Sequence, residues 1–222
     1  MFELFLNYFV VMFVVIDPIG LAAMFAALAH DVAPARQRVF AVRATVIAAG
    51  VLVLFALVGD RLLRALGIGM PAFQIAGGAL LFLLAVDMVF ARHSGLRATT
   101  PAEQEEAEHR KDISVFPLAV PLIAGPGALT TVLLMVGEQG GDSLVLVTVL
   151  GVVVTVLLLT LASLWFSPRI MRFLGATGTN AASRLLGIIL AAMAVQFMLD
   201  GWSAAQVTTG DDEEVETLTI QI

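Results

Sequence analysis

The sequence predicts an all-α polytopic membrane protein: six transmembrane helices built as two inverted three-helix repeats, with the first and fourth helices broken. Three observations predict it. Of the 222 residues 59% are apolar and only 14% charged, with a mean hydropathy of +0.97; soluble domains run to about 45–50% and about 25%. Six apolar stretches each reach the roughly 20 residues a helix needs to cross about 30 Å of hydrocarbon. Finally, a short motif and a proline recur at one fixed displacement along the chain.

No water-soluble domain of this length has a core large enough to hide so much apolar surface. The composition excludes a soluble enzyme and a disordered chain, and a net charge of −6 excludes a nucleic-acid partner. With no cysteine there is no disulfide framework, iron–sulfur cluster or thiol chemistry. His30, His93 and His109 all fall between the apolar stretches, so no buried histidine metal site is expected.

The six stretches cover residues 2–29, 39–58, 70–91, 114–136, 143–166 and 181–201. The first opens Met1-Phe2-Glu3-Leu4, without a basic n-region or a small-residue cleavage site, and reads as a retained span. A polar hinge from His30 to Arg38, containing Pro34, separates it from the second. Between the third and fourth lies the longest hydrophilic segment, with Glu103, Glu105, Glu106, Glu108, Arg110 and Lys111. The predicted organisation is a first repeat over 1–91, a cytoplasmic linker over 92–113, a second repeat over 114–201 and an acidic tail over 202–222. Trp165 and Trp202 close spans, as interfacial anchors do.

Basic residues set the orientation. Ten of the twelve lie in or beside loops one–two, three–four and five–six, and only Arg61 and Arg64 lie on the other side. The positive-inside rule then places both termini outside the cytoplasm of a multi-pass protein.

Arg61-Leu62-Leu63-Arg64-Ala65-Leu66-Gly67 recurs as Arg169-Ile170-Met171-Arg172-Phe173-Leu174-Gly175, displaced by 108 residues. The same displacement carries Pro18 onto Pro126 and Leu21 onto Leu129, and a two-residue slip carries Gly77 onto Gly187. Three spans is an odd number, so two such halves enter the membrane from opposite sides. Inverted halves are the architecture of many secondary transporters.

Both prolines of this pair interrupt a span. Proline lacks the backbone donor and clashes with the preceding turn, and the residue before it avoids helical geometry. Asp17 and Gly125 are therefore predicted N-caps, with Pro18 and Pro126 opening new half-helices. Each start exposes unpaired amides and the positive end of a helix dipole. Inversion would aim both starts at one midplane cavity, an anion site suited to a carboxylate. Gly20, Gly125, Gly127 and Ala128 leave room for a small ligand, and Thr130 and Thr131 offer hydroxyls a turn later. Asp17 is the one acidic residue deep in a span; such a group faces a bundle interior or water path. It can take a substrate's ammonium, Na⁺ or a proton. The competing structural reading makes Asp17 a simple cap and the prolines packing kinks. Gln74 and Gln196 line a polar path or bond between helices. Asp87 and Asp200 reach the interface, Arg184 anchors the sixth span by snorkelling, and Gly77, Gly78 and Gly187 are close helix contacts.

Asp17-Pro18-Ile19-Gly20, together with Pro117-Leu118-Ala119-Val120-Pro121-Leu122-Ile123-Ala124-Gly125-Pro126-Gly127-Ala128, resembles the MarC family of small integral membrane proteins. The resemblance covers about residues 2–201 and excludes the tail. It implies six helices in a bacterial inner membrane or an archaeal plasma membrane. A relative with transport activity implies uptake of glycine or alanine coupled to a cation gradient. Many family members carry Asn where this chain has Asp17, which leaves the coupling ion open.

The reading is a secondary transporter of small neutral amino acids, working by alternating access and coupled to Na⁺ or H⁺, without another cofactor or metal. Its substrate-binding residues are Asp17, Pro18, Gly20, Gly125, Pro126, Gly127, Ala128 and Thr130, with Asp17 also the ion-coupling residue. Its partners are the amino acid and the lipid bilayer, with a homo-oligomer left open. A channel, an exporter of the same substrates and a regulatory membrane subunit are the alternatives. An intramembrane enzyme is not expected, since no span contains His, Cys or a carboxylate pair.

Overall fold

The computed structural model describes residues 2–30, 32–90, 112–137 and 143–220, with side chains at all of these except 176 and 207–220. Every regular element among the described residues is helical. The first span is α1 (Phe2–Ile16) and α2 (Pro18–Leu28), parted by Asp17 alone. The second and third are α3 (Pro34–Ala65) and α4 (Met70–Val89). The fourth joins α5 (Ser114–Ile123) to α6 (Pro126–Gly137) with a bend of 51°. The fifth is α7 (Ser143–Trp165). The sixth runs over Thr177–Gln206 within α8 (Ser167–Ile220), after an interruption at Gly175. Among the described residues, five helices are long and apolar enough to cross a membrane, or six with the bent pair taken as one span.

Two features differ from the sequence reading. Helix α3 begins at Pro34, so Arg36, Gln37 and Arg38 are helical rather than part of a hinge. Pro34 suits the first helical position, where no amide bond is missed. Gln37 Nε2 also donates back to the carbonyls of Ala29 at 2.8 Å and Val32 at 2.9 Å, fixing the turn. The backbone after residue 202 stays helical to Ile220. Most of the linker, with His93 and His109, lies outside the described residues.

The second difference is α5, expected as plain helix. Its hydrogen bonds span five residues, from Leu118 N to Ile113 O at 3.3 Å and from Ala124 N to Ala119 O at 2.8 Å. Phe116 (φ −131°, ψ 129°) and Val120 (φ −130°, ψ 124°) are extended, each before a proline on a cis peptide bond. Steric clash with the proline ring pushes the preceding residue out of helical space. Pro117 and Pro121 therefore unwind the half-span that Pro126 terminates.

The element boundaries repeat. Helices α2 and α6 both open on proline, 108 residues apart, and α3 (Pro34–Ala65) shifted by 108 runs across α7 and into α8 as far as Phe173. Gly67 (φ +70°) and Gly175 (φ +64°), also 108 apart, both adopt the left-handed backbone open to glycine. The halves interlock: α1 and α2 pack on α7 and α8 of the second half, while α5 and α6 pack on α3 and α4 of the first. Helix α4 runs along the sixth span at close range. A Cβ on Gly78 would lie 2.7 Å from the Ala194 carbonyl oxygen, and one on Gly187 2.8 Å from Met88 Cβ. These glycines are helix contacts, as expected. Tyr8 of α1 donates its hydroxyl to the Met135 carbonyl of α6 at 3.2 Å, joining the two broken spans.

Polar groups inside the bundle are largely served within their own helix. Thr45, Thr131 and Thr160 each donate to the carbonyl four residues earlier at 2.8 Å. That arrangement removes the several kcal/mol that an unmet hydroxyl costs in an apolar setting.

Candidate functional site

At the first break, α1 still closes a bond from Asp17 N to Phe13 O at 2.9 Å. The chain then turns through Asp17 at φ 51°, ψ 69°, the one non-glycine residue with positive φ among the described residues. Aspartate tolerates this region better than most residues, since its short side chain can bond locally. Pro18 opens α2, and Leu21 N returns to Asp17 O at 2.9 Å.

The side chain of Asp17 is 1% exposed. Its Oδ1 accepts the Gly20 amide at 3.0 Å, the expected N-cap bond, and its Oδ2 accepts the Ser183 hydroxyl at 2.9 Å. A side chain at position 20 would collide with Asp17 Oδ2, so only glycine lets the carboxylate fold back. Ser183 belongs to the sixth span, so this bond ties the first half to the second. Sequence reasoning missed it. One serine in an apolar span carries no signal of its own; only packing discloses its partner.

The second break has the same plan without the cap. Gly125 stands where Asp17 stands, Pro126 opens α6, and Leu129 N bonds Gly125 O at 3.0 Å. The Pro121 carbonyl oxygen presses on Gly125, where any side chain would strike it. No side chain at position 125 can therefore reach the amides of the first turn, which have no partner inside a helix.

A cavity of about 20 Å³ adjoins this start, lined by Gly125, Pro126, Gly127, Ala128, the α5 residues Pro121, Leu122 and Ile123, Val15 at the end of α1, and Leu80 and Leu84 of α4. That volume suffices for about one water, which needs roughly 10–15 Å³. Of the eight expected binding residues, Gly125, Pro126, Gly127 and Ala128 line it. Asp17, Pro18, Gly20 and Thr130 are not in its lining. The expected single chamber between two bare helix starts is thus asymmetric: Val15 brings the end of α1 to it, while Asp17 covers the start of α2. Thr131 bonds its own helix, and the Thr130 methyl packs on Gly77.

The remaining polar residues lie outside the cavity lining. Gln74 is buried beside Gly201, whereas Gln196 is exposed and donates to Asp200 within its own helix at 2.7 Å. At the entry to α5, Asp112 Oδ1 accepts the Ser114 hydroxyl at 2.5 Å and amide at 3.0 Å, and Oδ2 pairs with Arg43 at 2.6 Å. The Ser114 bonds and the guanidinium hold the Asp112 carboxyl below its ordinary value of 3.8.

Comparison with known proteins agrees with this architecture. A family model described as MarC family integral membrane protein matches residues 2–205. A UPF0056 membrane protein of Archaeoglobus fulgidus is 34% identical over 193 residues, covering 87% of this chain and 89% of its own. The UPF0056 inner membrane protein YhgN of Escherichia coli is 34% identical over 196 residues, covering 86% and 92%. The UPF0056 membrane protein YvbG of Bacillus subtilis is 31% identical over 195 residues, covering 88% and 92%. No solved structure matches the chain. A match over nearly the whole length of a chain built of apolar helices places it: the chain belongs to the MarC family of integral membrane proteins.

Proposed function

We propose that the chain is a secondary transporter of small neutral amino acids, of glycine or alanine size, working by alternating access and driven by Na⁺ or H⁺. One observation carries this reading: the first of the two helix starts is capped by a carboxylate of its own chain, and the second is not. In the first half a carboxylate, that of Asp17, sits on the Gly20 amide. In the second half the equivalent amide belongs to Ala128, glycine replaces the aspartate, and a cavity adjoins. A carboxylate carried in by a substrate completes the second start as Asp17 completes the first.

The amino group of a zwitterion needs acceptors, and unwound backbone provides carbonyls for that purpose in discontinuous membrane helices. Pro121 of α5 is the nearest such group to Gly125 and lines the cavity. Asp17 lies outside that lining and is bonded across the halves to Ser183, which suits the coupling ion better than the substrate's ammonium. The interlocked halves and repeated boundaries support inverted repeats that exchange conformations, and the basic-residue asymmetry supports termini outside the cytoplasm.

Purified protein in proteoliposomes should accumulate labelled glycine or alanine under an imposed Na⁺ or H⁺ gradient, with saturation. Flux that neither saturates nor exceeds equilibrium identifies a channel instead, and the absence of any flux removes the transport reading.

A further inference from the structure

The sixth span is the least enclosed by the bundle: 17% of its apolar stretch is buried, against 33% or more in the other four helices able to cross. One face packs on α4 through Gly187, Ala194 and Gly201. The opposite face carries Leu185, Ile189, Ala192, Gln196, Leu199 and Ser203, all of them exposed. These positions alternate steps of four and three residues, the spacing at which a left-handed helix pair repeats its contacts. The aliphatic members suit lipid. Gln196 does not. It lies six residues before the interfacial Trp202, about 9 Å at 1.5 Å per residue, and so inside the hydrocarbon. Its Nε2 donates one hydrogen to Asp200 Oδ1 at 2.7 Å. The amide has a second hydrogen and an acceptor oxygen, and neither meets a partner among the described residues. Acyl chains can satisfy neither group.

We propose that this face is the contact with a second copy of the chain, with Gln196 at its centre. All copies insert in one orientation, so two sixth spans meet side by side and parallel, about a twofold axis along the membrane normal. Each residue near that axis then meets its own counterpart at the same depth. An amide is complementary to itself, so Gln196 donates to its symmetry mate and accepts from it. A different protein would need a polar group of its own at this depth; a second copy has one by symmetry. Ala192, one turn away, lets the two backbones approach, while Leu185, Ile189 and Leu199 supply apolar packing. Ser183 lies nine residues from Ala192, about two and a half turns, and so faces Asp17 and not the seam. The contact therefore leaves both helix starts within each copy, and it does not depend on the transport reading.

The chain has no cysteine, so single cysteines report the contact without background. In lipid vesicles at low protein density, Ala192→Cys and Leu199→Cys should each form a disulfide-linked dimer on oxidation with copper phenanthroline. Val154→Cys and Leu158→Cys, on the exposed face of α7, should not. Gln196→Leu keeps a side chain of similar size that lipid accepts. It should raise the dimer dissociation constant in vesicles, read by dilution into lipid, about 3–20-fold, the span of a hydrogen bond between membrane helices. Gln196→Asn keeps an amide and should retain most of the affinity. All of these positions face away from α4, so the variants should keep the wild-type fold. Cross-linking no greater on the sixth span than on α7 overturns the proposal and leaves the face to lipid. A dissociation constant unmoved by Gln196→Leu overturns the role of the amide pair.

Discussion

Replacing Asp17 separates its three tasks. The residue occupies a left-handed backbone, caps α2 through Gly20 and accepts from Ser183. Asp17→Ala loses the cap, about 1 kcal/mol, and with it the local side-chain bond that eases aspartate in left-handed backbone. It also leaves the Ser183 hydroxyl without its acceptor in a dry setting, about 1–3 kcal/mol. The expected loss is about 2–4 kcal/mol. Asp17→Gly relieves the backbone and weakens the cap only slightly, so the Ser183 contribution dominates at about 1–3 kcal/mol. Asp17→Asn keeps a capping oxygen and tolerates the backbone, and its NH₂ can donate to a Ser183 hydroxyl that rotates to accept; about 1 kcal/mol or less is expected. Unfolding in detergent with urea or SDS, followed by Trp165 and Trp202 fluorescence, measures the series. Ser183→Ala combined with Asp17→Ala should lose less than the sum of the single variants, since they share one bond. A series flat to within about 1 kcal/mol, or Asn as harmful as Ala, would refute the assignment of a buried, doubly bonded carboxylate.

Two further outcomes test the packing and the entry to α5. Gly78→Ala forces a methyl against the Ala194 carbonyl and should cost about 1–3 kcal/mol by parting α4 from the sixth span. Gly50→Ala, on the same assay, meets nothing within 4 Å in mid-α3 and should instead gain about 0.5–1 kcal/mol. Asp112 has its carboxyl pKa lowered in the folded state, so the stability it contributes is present above its ordinary 3.8 and lost as pH falls through the lower folded value. Asp112→Asn should flatten that acid limb below pH 3.8 in a thermal-unfolding series, by a small amount because the group is partly exposed; an unchanged acid limb would show that the Ser114 and Arg43 contacts contribute nothing.

The amino-acid order alone determined the membrane class, the six spans, the recurrence at 108 residues and the places where two of those spans break. Each follows from local chemistry: apolar length set against bilayer thickness, and prolines that cannot donate. Even the capping role of Asp17 was legible, because it depends on the three residues that follow it. The unwinding of α5 was legible too, in Pro117 and Pro121, but was hidden by the apolar run that contains them; hydropathy measures span length and is blind to backbone donors. Tertiary structure alone decided what each half-helix start faces. Ser183 lies 166 residues from Asp17, and Leu84 and Val15 reach Gly127 from two other spans. Such pairings depend on how interlocked helices rotate about their axes. That rotation is set by close contacts such as Gly78 on Ala194, whose energies no local window of sequence contains. Sequence made the two helix starts unlike at one position, Asp17 against Gly125; packing decided that Ser183 meets the first and a cavity adjoins the second.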